Sequence, residues 1–235
     1  KEGTFTYSFQ PGSPNYGPIT GEITFTVKDI VFLVGDATAT SANAVTVKSG
    51  AVYGDSWSDI VTIGTLKAVA GMETDSEQGH FTLRETGRPN AGTDQPFAVL
   101  YNGTVGGKEY KDVIVCEGKV NVNRRILTVA AGSYKVSKSY DKTTDAGTPA
   151  GTLALSGVLS EDEGAVTVTA VPGAYTNPNV GGQATVKANL TLSGAASANY
   201  SLSSSTLDVP CEITPMPIAP TLDPLGSYDY TGRVI

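Results

Sequence analysis

The sequence predicts an all-β protein built from two successive small domains, and three observations support this. The run Pro89-Asn90-Ala91-Gly92 returns as Pro178-Asn179-Val180-Gly181, 89 residues later (178 − 89). The 27 glycines and 13 prolines among 235 residues supply turns along the whole chain. No segment carries a sustained apolar stripe at the helical period. A repeat of this length with frequent turns is typical of a string of small β domains rather than of one large enzyme.

The first segment, residues 1–42, contains short strand patterns separated by Pro and Gly. Asn15-Tyr16 followed by GPITGEITFTV resembles Asn199-Tyr200 followed by SLSSSTLDVPCEI. We therefore expect residues 1–42 to hold the C-terminal strands of a preceding repeat plus a connector. The run DIVFLVG in this segment has no counterpart in the second repeat.

The first complete repeat spans residues 43–123. Its apolar runs are bounded by turn residues at short intervals, which favours strands. The predicted strands are Ala44–Val47, Ile60–Thr65, His80–Glu85, Gln95–Tyr101 and Asp112–Val122.

The second complete repeat spans residues 124–214. Its predicted strands are Ile126–Ala130, Gly151–Ser156, Val166–Ala170, Ala184–Leu192 and Ser205–Ile213. In the fourth of these strands apolar and polar residues alternate, which predicts one face toward a core and one toward water. Residues 215–235 are rich in proline and then contain Ser227-Tyr228-Asp229, so we expect a linker and the start of a further repeat.

Evidence for helices is limited to two short acidic runs. Met72–Gly79 and Ser160–Gly164 are each long enough for about one helical turn. Neither has the apolar periodicity of a longer helix.

Charge and hydropathy argue against two kinds of partner, nucleic acid and the interior of a membrane. The formal net charge is −7, with an isoelectric point near 4.7. Because phosphate binding needs clustered Lys and Arg, we expect no nucleic-acid partner. No run approaches the roughly 18–20 apolar residues that span a bilayer, so we expect no membrane insertion in this segment.

The two cysteines occupy comparable places late in successive repeats. Cys116 lies in VIVCEGKV and Cys211 in LDVPCEI. Equivalent strands of neighbouring domains lie about one domain length apart, whereas a disulfide requires Cα atoms within about 7 Å. We therefore expect two buried free thiols rather than a disulfide.

The candidate catalytic and metal-ligating residues are few, and we expect neither an enzyme nor a cofactor or metal site. His80 is the only histidine, and no Gly-x-Ser-x-Gly nucleophile motif is present. An exposed histidine at a strand end is the favoured interpretation of His80. The acidic runs Asp75-Ser76-Glu77 and Glu161-Asp162-Glu163 and the pair Asp141 and Asp145 lack EF-hand spacing, so solvated loop carboxylates are favoured over Ca²⁺ ligands. Bound Ca²⁺ and an isopeptide crosslink through Lys142 or Lys187 stay open.

Two aromatic residues are the candidates for ligand contact. Tyr53 has a repeat counterpart in Tyr140, which favours core packing for both. Trp57 is the single tryptophan and has no counterpart, so it is the better candidate for an exposed contact. A glycan is the ligand that an exposed aromatic strip would favour.

Five short motifs follow one another along the second repeat: Tyr140-Asp141-Lys142-Thr143-Thr144, Leu155-Ser156-Gly157, Asn179-Val180-Gly181, Leu192-Ser193-Gly194 and Asn199-Tyr200. In this order they resemble the YDG repeats of bacterial surface proteins. The resemblance covers about residues 139–215, and Lys142 stands where the family pattern often has Gly. The first repeat resembles the related MBG repeats more weakly, through its opening Tyr53-Gly54-Asp55 and through Asn90-Ala91-Gly92.

The resemblance implies tandem Ig-like β-sandwich domains in a bacterial adhesin-like protein. We expect a non-catalytic stalk or spacer, outside the cell, on the cell surface or secreted. The expected state is a monomer, and its surface partner, a glycan or a protein, is unidentified. The alternative function is a carbohydrate-binding module of a secreted protein, using Trp57 and nearby tyrosines.

Overall fold

The computed structural model describes residues 2–9, 12, 15, 17–26, 29–221 and 232, and it is predominantly β. The predicted predominance of β-strands is confirmed. The chain divides into two compact units. Unit 1 is Lys1–Arg125 with Ala198–Ser201, and unit 2 is Ile126–Ser197 with Leu202–Ile235. The predicted domain boundaries stay a prediction, and the predicted opening of a further repeat at Ser227-Tyr228-Asp229 lies outside the described residues.

Unit 1 contains eleven described strands, two one-turn α-helices and one 3₁₀ turn. The strands are β1 Glu2–Phe9, β2 Ile19–Thr26, β3 Val31–Val34, β4 Ala37–Thr38, β5 Val45–Val47, β6 Val61–Ile63, β7 Lys67–Ala70, β8 Glu73–Asp75, β9 Phe81–Leu83, β10 Gly92–Val105 and β11 Lys108–Val122. The helices are α1 Ser41–Ala44 and α2 Trp57–Ile60, and the 3₁₀ turn is Gln78–His80.

The strands of unit 1 form small antiparallel sheets. β1 pairs with β2, β5 pairs with β6, the order β4-β3-β7-β8 makes one sheet, and β11-β10-β9 makes another. β10 and β11 form a long hairpin that reverses at Gly106 and Gly107, both with positive φ (61° and 72°). Glycine has no Cβ, so it adopts this left-handed conformation without steric cost. Both strands are longer on the side of the turn than the sequence predicts: β10 continues to Val105 and β11 begins at Lys108.

The core of unit 1 includes strand β3, whose sequence has no counterpart in the second repeat. Phe32, on β3, is buried with Phe81, Phe97 and Tyr101 in one hydrophobic cluster. The Phe32 ring lies 5.4 Å from the Tyr101 ring. The DIVFLVG run therefore contributes to the core of unit 1, together with residues that follow it in sequence.

The described residues from Arg125 onward form eight strands and two 3₁₀ turns, which belong to unit 2 except for Arg125 and for Ala198–Ser201 in the second turn and the strand that follows it. The strands are β12 Arg125–Ala130, β13 Lys135–Ser139, β14 Thr148–Ala150, β15 Ala154–Ser156, β16 Thr167–Pro172, β17 Thr185–Ser193, β18 Tyr200–Leu202 and β19 Thr206–Thr214. The 3₁₀ turns are Ser160–Asp162 and Ser197–Asn199. The strand orders of its two sheets are β15-β12-β18 and β14-β13-β19-β17-β16.

Alternation along β17 places one face in the core of unit 2, as the sequence predicts. Val186, Ala188 and Leu190 are buried, and the residues between them are exposed. Val136 and Val209 complete the centre of the core, each with no exposed surface. β13 and β19 pair in parallel, whereas the other described pairings of this sheet are antiparallel.

The two predicted helical turns have different outcomes. Ser160–Asp162 forms a 3₁₀ turn, as expected. In the run 72–79, Glu73–Asp75 instead form strand β8, which pairs with β7 (Val69 with Thr74), and a helical turn forms only at the end of the run, where Gln78 and Gly79 begin the 3₁₀ turn. Across the described part of the chain, no helix has the length and apolarity needed to cross a bilayer.

Candidate functional site

Trp57 lies inside unit 1, and the expectation of an exposed Trp57 is wrong. Its side chain is only 7% exposed. Ser56 caps the helix that begins at Trp57: the Asp59 backbone N–H donates to Ser56 Oγ (3.2 Å), and the Ser56 N–H donates to Asp59 Oδ2 (3.1 Å). This capping box turns the chain so that Trp57 and Ile60 both face the core.

Tyr53 is also buried, at 5% exposure. The Arg88 guanidinium carbon lies 5.3 Å from the centre of the Tyr53 ring, in cation–π range. Neither Tyr53 nor Trp57 presents an aromatic face to solvent. Their ligand-contact role stays a prediction, and a glycan that stacked on either ring would require the surface to open.

The sequence interpretation missed a polar cluster formed by Asp75, Glu77, His80 and Tyr101. Asp75 Oδ2 lies 2.6 Å from His80 Nδ1 and accepts a hydrogen bond from the Tyr101 hydroxyl at 2.5 Å. His80 Nε2 lies 3.4 Å from Glu77 Oε2, and the Glu77 N–H donates to Asp75 Oδ1 (3.0 Å). The cluster runs from Tyr101, which has no exposed surface, to the mostly exposed Glu77.

Electrostatics in the polar cluster favour a charged pair between Asp75 and His80. The hydrogen bond to Asp75 holds the pKa of His80 above its usual value, although partial burial opposes the shift. Burial disfavours the Asp75 carboxylate, but hydrogen bonds from Tyr101, the Glu77 N–H and His80 outweigh it and lower the pKa of Asp75. Burial, followed by the hydrogen bond to Asp75, raises the pKa of Tyr101.

An open cleft of about 620 Å³ lies over the polar cluster. Thr74, Ser76 and Thr104 line it together with Asp75, Glu77 and His80. Both nitrogens of the imidazole face carboxylates, which is the arrangement of an ion pair. Within the described ranges, no group of three or more His, Cys, Asp or Glu side chains is arranged to hold a metal ion.

The tyrosine-aspartate motif of the second repeat forms a tight turn, which we call the 138–145 turn. The Lys138 ammonium lies beneath it, with its side chain only 9% exposed. Lys138 Nζ donates to the backbone oxygens of Thr143 (3.0 Å) and Asp145 (3.2 Å) and to Thr143 Oγ1 (2.9 Å). It also lies 2.9 Å from Asp141 Oδ1 and 5.7 Å from the centre of the Tyr175 ring.

Asp141 accepts hydrogen bonds within this turn, and Lys142 has an unusual backbone conformation there. The Asp141 carboxylate accepts from Lys138 and from the Thr143 N–H (2.9 Å), and these bonds lower the pKa of Asp141 to about 2. Lys142 has φ 69°, in the left-handed region. The family pattern often has Gly at this position because only Gly adopts that φ without a steric cost. The sequence identified the motif but not Lys138, which precedes it.

The other sequence candidates are dispersed. Lys187 forms an exposed ion pair with Asp208 (3.2 Å) at the surface of unit 2. Both cysteines are free, as predicted. Cys116 is buried, as expected, whereas Cys211 is only half-buried.

Comparison with known proteins identifies one domain. No curated protein and no solved structure matches the chain. The family model of the YDG domain matches residues 123–207, a range that includes the 138–145 turn. The chain therefore contains a YDG domain at residues 123–207.

Proposed function

We propose that this chain is a non-catalytic spacer that carries mechanical load within a bacterial adhesin-like protein. The observation that carries the proposal is the parallel pairing of β13 with β19 in unit 2. Four residue pairs form this ladder, from Val136 with Cys211 to Ser139 with Thr214. β19 is the last described strand of the unit, and β13 follows its first strand, β12.

Parallel strands near the two ends of a unit resist tension well. Force on the N-terminal side pulls β13 backward along its axis, and force on the C-terminal side pulls β19 forward. Because the two strands run in the same direction, these forces slide one strand along the other and load all of the ladder hydrogen bonds together. A pulling direction that peeled the strands apart would break the same bonds one at a time.

Side chains reinforce this ladder. The Tyr175 hydroxyl lies 3.3 Å from the carbonyl oxygens of Val136 on β13 and Glu212 on β19, so it bridges the two strands. Thr214 Oγ1 donates to the Lys138 carbonyl (3.3 Å), and the Tyr140 N–H donates to the Thr214 carbonyl (2.8 Å). The 138–145 turn thus anchors the end of the ladder.

The finer architecture belongs to the same proposal. Each unit has its own cluster of buried apolar residues, which supports tandem Ig-like sandwiches that each fold on their own core. A spacer of this kind would act as a monomer outside the cell, on the surface or secreted, and would present a ligand-binding domain. Its own ligand, a glycan or a protein, is not identified.

The test is single-molecule force spectroscopy with two pulling directions on one protein. Handles at the two ends of the chain load β13 against β19 in shear. Handles at Ser139 and Thr214, which are paired at one end of the ladder, unzip the same strands. We expect a several-fold higher unfolding force for unit 2 in the first geometry. Because both measurements use one fold, thermodynamic stability is the same in each.

Equal unfolding forces in the two geometries would contradict the load-bearing role. A Tyr175→Phe variant provides a second test, because it removes the hydroxyl that bridges the strands and keeps the ring. We expect it to lower the force in the end-to-end geometry more than in the unzipping geometry.

A further inference from the structure

Strands β1 and β2 present an exposed apolar face. Tyr7, Phe9 and Ile23 lie on this face and are 41%, 64% and 56% exposed, respectively. The Tyr7 ring lies over Gly21, where an added Cβ would come within 2.5 Å of the Tyr7 hydroxyl. Polar residues such as Glu22 occupy the opposite face. Two paired strands are marginally stable alone, so a face of this composition needs a cover.

The sequence order of this strand pair repeats that of β17 and β19 in unit 2. In both cases an Asn-Tyr pair lies between the two strands. Ile23 on β2 follows Tyr16 by seven residues (23 − 16), and Leu207 on β19 follows Tyr200 by seven residues (207 − 200). The second strand therefore has the same position relative to the motif in both places.

The cross-strand pairing is similar and differs by one residue. Ile23 pairs with Phe5, which lies 11 residues before Tyr16 (16 − 5), and Leu207 pairs with Ala188, which lies 12 residues before Tyr200 (200 − 188). The connection before the Asn-Tyr pair is therefore one residue shorter in β1–β2. β1–β2 and β17–β19 are thus similar antiparallel strand pairs, with the second strand at the same distance from the Asn-Tyr pair in both.

Unit 2 shows what covers the equivalent face. There Ala188 and Val209 are fully buried, and they cluster with Tyr134 and Tyr175. Leu153 packs against the same cluster. The three covering residues all come from the chain before β17. They are therefore supplied by the residues that precede the strand pair in sequence.

We propose that the apolar face of β1–β2 is an interface for a YDG-like β-sheet supplied by the polypeptide N-terminal to β1. The occupant is a set of strands equivalent to residues 126–184, with a tyrosine-rich apolar side like that of Tyr134 and Tyr175. β1–β2 then closes that unit as β17–β19 closes unit 2. The inference rests on the tandem arrangement proposed above and adds to it a defined surface and partner.

The experiment compares hydrogen exchange in the present chain with exchange in a protein extended N-terminally by its own natural sequence. We expect the amides of β1 and β2 to exchange about 10–100-fold more slowly in the extended protein, as burial of one large apolar side chain would produce. The amides of β17 and β19 are the internal control, and unchanged protection there shows that unit 2 is folded. Ile23→Thr in the extended protein should remove most of the gain, whereas the same substitution should leave the present chain unaffected.

Three results would overturn the inference. One is equal exchange of β1 and β2 in the two proteins. Another is a natural upstream sequence with no β-strand pattern. The third is a concentration-dependent dimer of the present chain that Ile23→Thr abolishes, because the face would then be a contact between two copies. None of these results changes the force measurement on unit 2, so failure here is distinct from failure of the proposed load-bearing role.

Discussion

Replacing Lys142 with Gly should stabilise unit 2. Lys142 has φ 69°, and an L-residue in this left-handed region costs about 1–2 kcal/mol. Glycine removes that cost but loses about 0.5–1 kcal/mol more than other residues through backbone entropy. The expected net gain in the free energy of unfolding is therefore about 0–1.5 kcal/mol. For a domain of this size, that raises the melting temperature by up to about 12 °C.

Two matched variants separate the backbone effect from the loss of the side chain. Lys142→Ala removes the same ammonium but keeps a Cβ at positive φ, so we expect no stabilisation. Lys135→Gly makes the same exchange on strand β13, where it should cost about 1 kcal/mol. Thermal unfolding followed by circular dichroism measures all three. A lower melting temperature for Lys142→Gly, or an equal rise for Lys142→Ala, would refute the explanation from backbone strain.

Three further predictions concern the polar cluster, Lys138 and Gly118. The pKa of His80, the single histidine, should lie above 6.5 by NMR titration and should fall in the Asp75→Asn variant. The ion pair then stabilises the fold fully below about pH 6.5, and this stabilisation disappears as the pH rises through the folded-state pKa. A folded-state pKa at or below 6.5 would contradict the ion pair. Lys138→Met should destabilise unit 2 by about 1–3 kcal/mol in urea unfolding, because the carbonyl oxygens of Thr143 and Asp145 lose their hydrogen-bond donor. The pKa of Asp141 should also rise from about 2 toward 3.8. An unchanged Asp141 titration would disprove the contact between Lys138 and Asp141. Gly118→Ala should destabilise unit 1 by about 1–3 kcal/mol because the new methyl group would clash with the Phe97 ring, whereas Gly79→Ala, at an open position, is the control and should be nearly neutral.

Local patterns predicted five of the eight described strands in the second repeat and missed β13, β14 and β18. The alternation from Val186 to Leu192 gave strand β17 to within one residue at each end, because half-burial of a strand leaves a period of two in its sequence. The tyrosine-aspartate opening at Tyr140 identified the YDG domain that the family model matches. Both patterns depend only on residues that are close to one another in the sequence.

Features that depend on long-range contacts were missed. The sequence favours an exposed strand-end position for His80, but in the structure His80 pairs with Asp75, and Asp75 also accepts a hydrogen bond from Tyr101 on β10, which is distant in sequence. The closeness of Asp75, Glu77 and His80 in the sequence indicated part of this polar cluster. Trp57 was expected at the surface because it has no repeat counterpart, yet the Ser56 capping box directs it inward. A serine three residues before an aspartate was the available clue.

We propose that the two units fold on separate cores, and selective destabilisation of each unit tests this proposal most directly. Phe97→Ala removes a buried ring from the core of unit 1, and Val209→Ala removes buried methyl groups from the core of unit 2. In differential scanning calorimetry of the whole chain, we expect two transitions. Each variant should lower one of them, at a cost of about 3–5 kcal/mol for the Phe and somewhat less for the Val, and leave the other in place. A single transition shifted by both variants would show one cooperative core and contradict the claim.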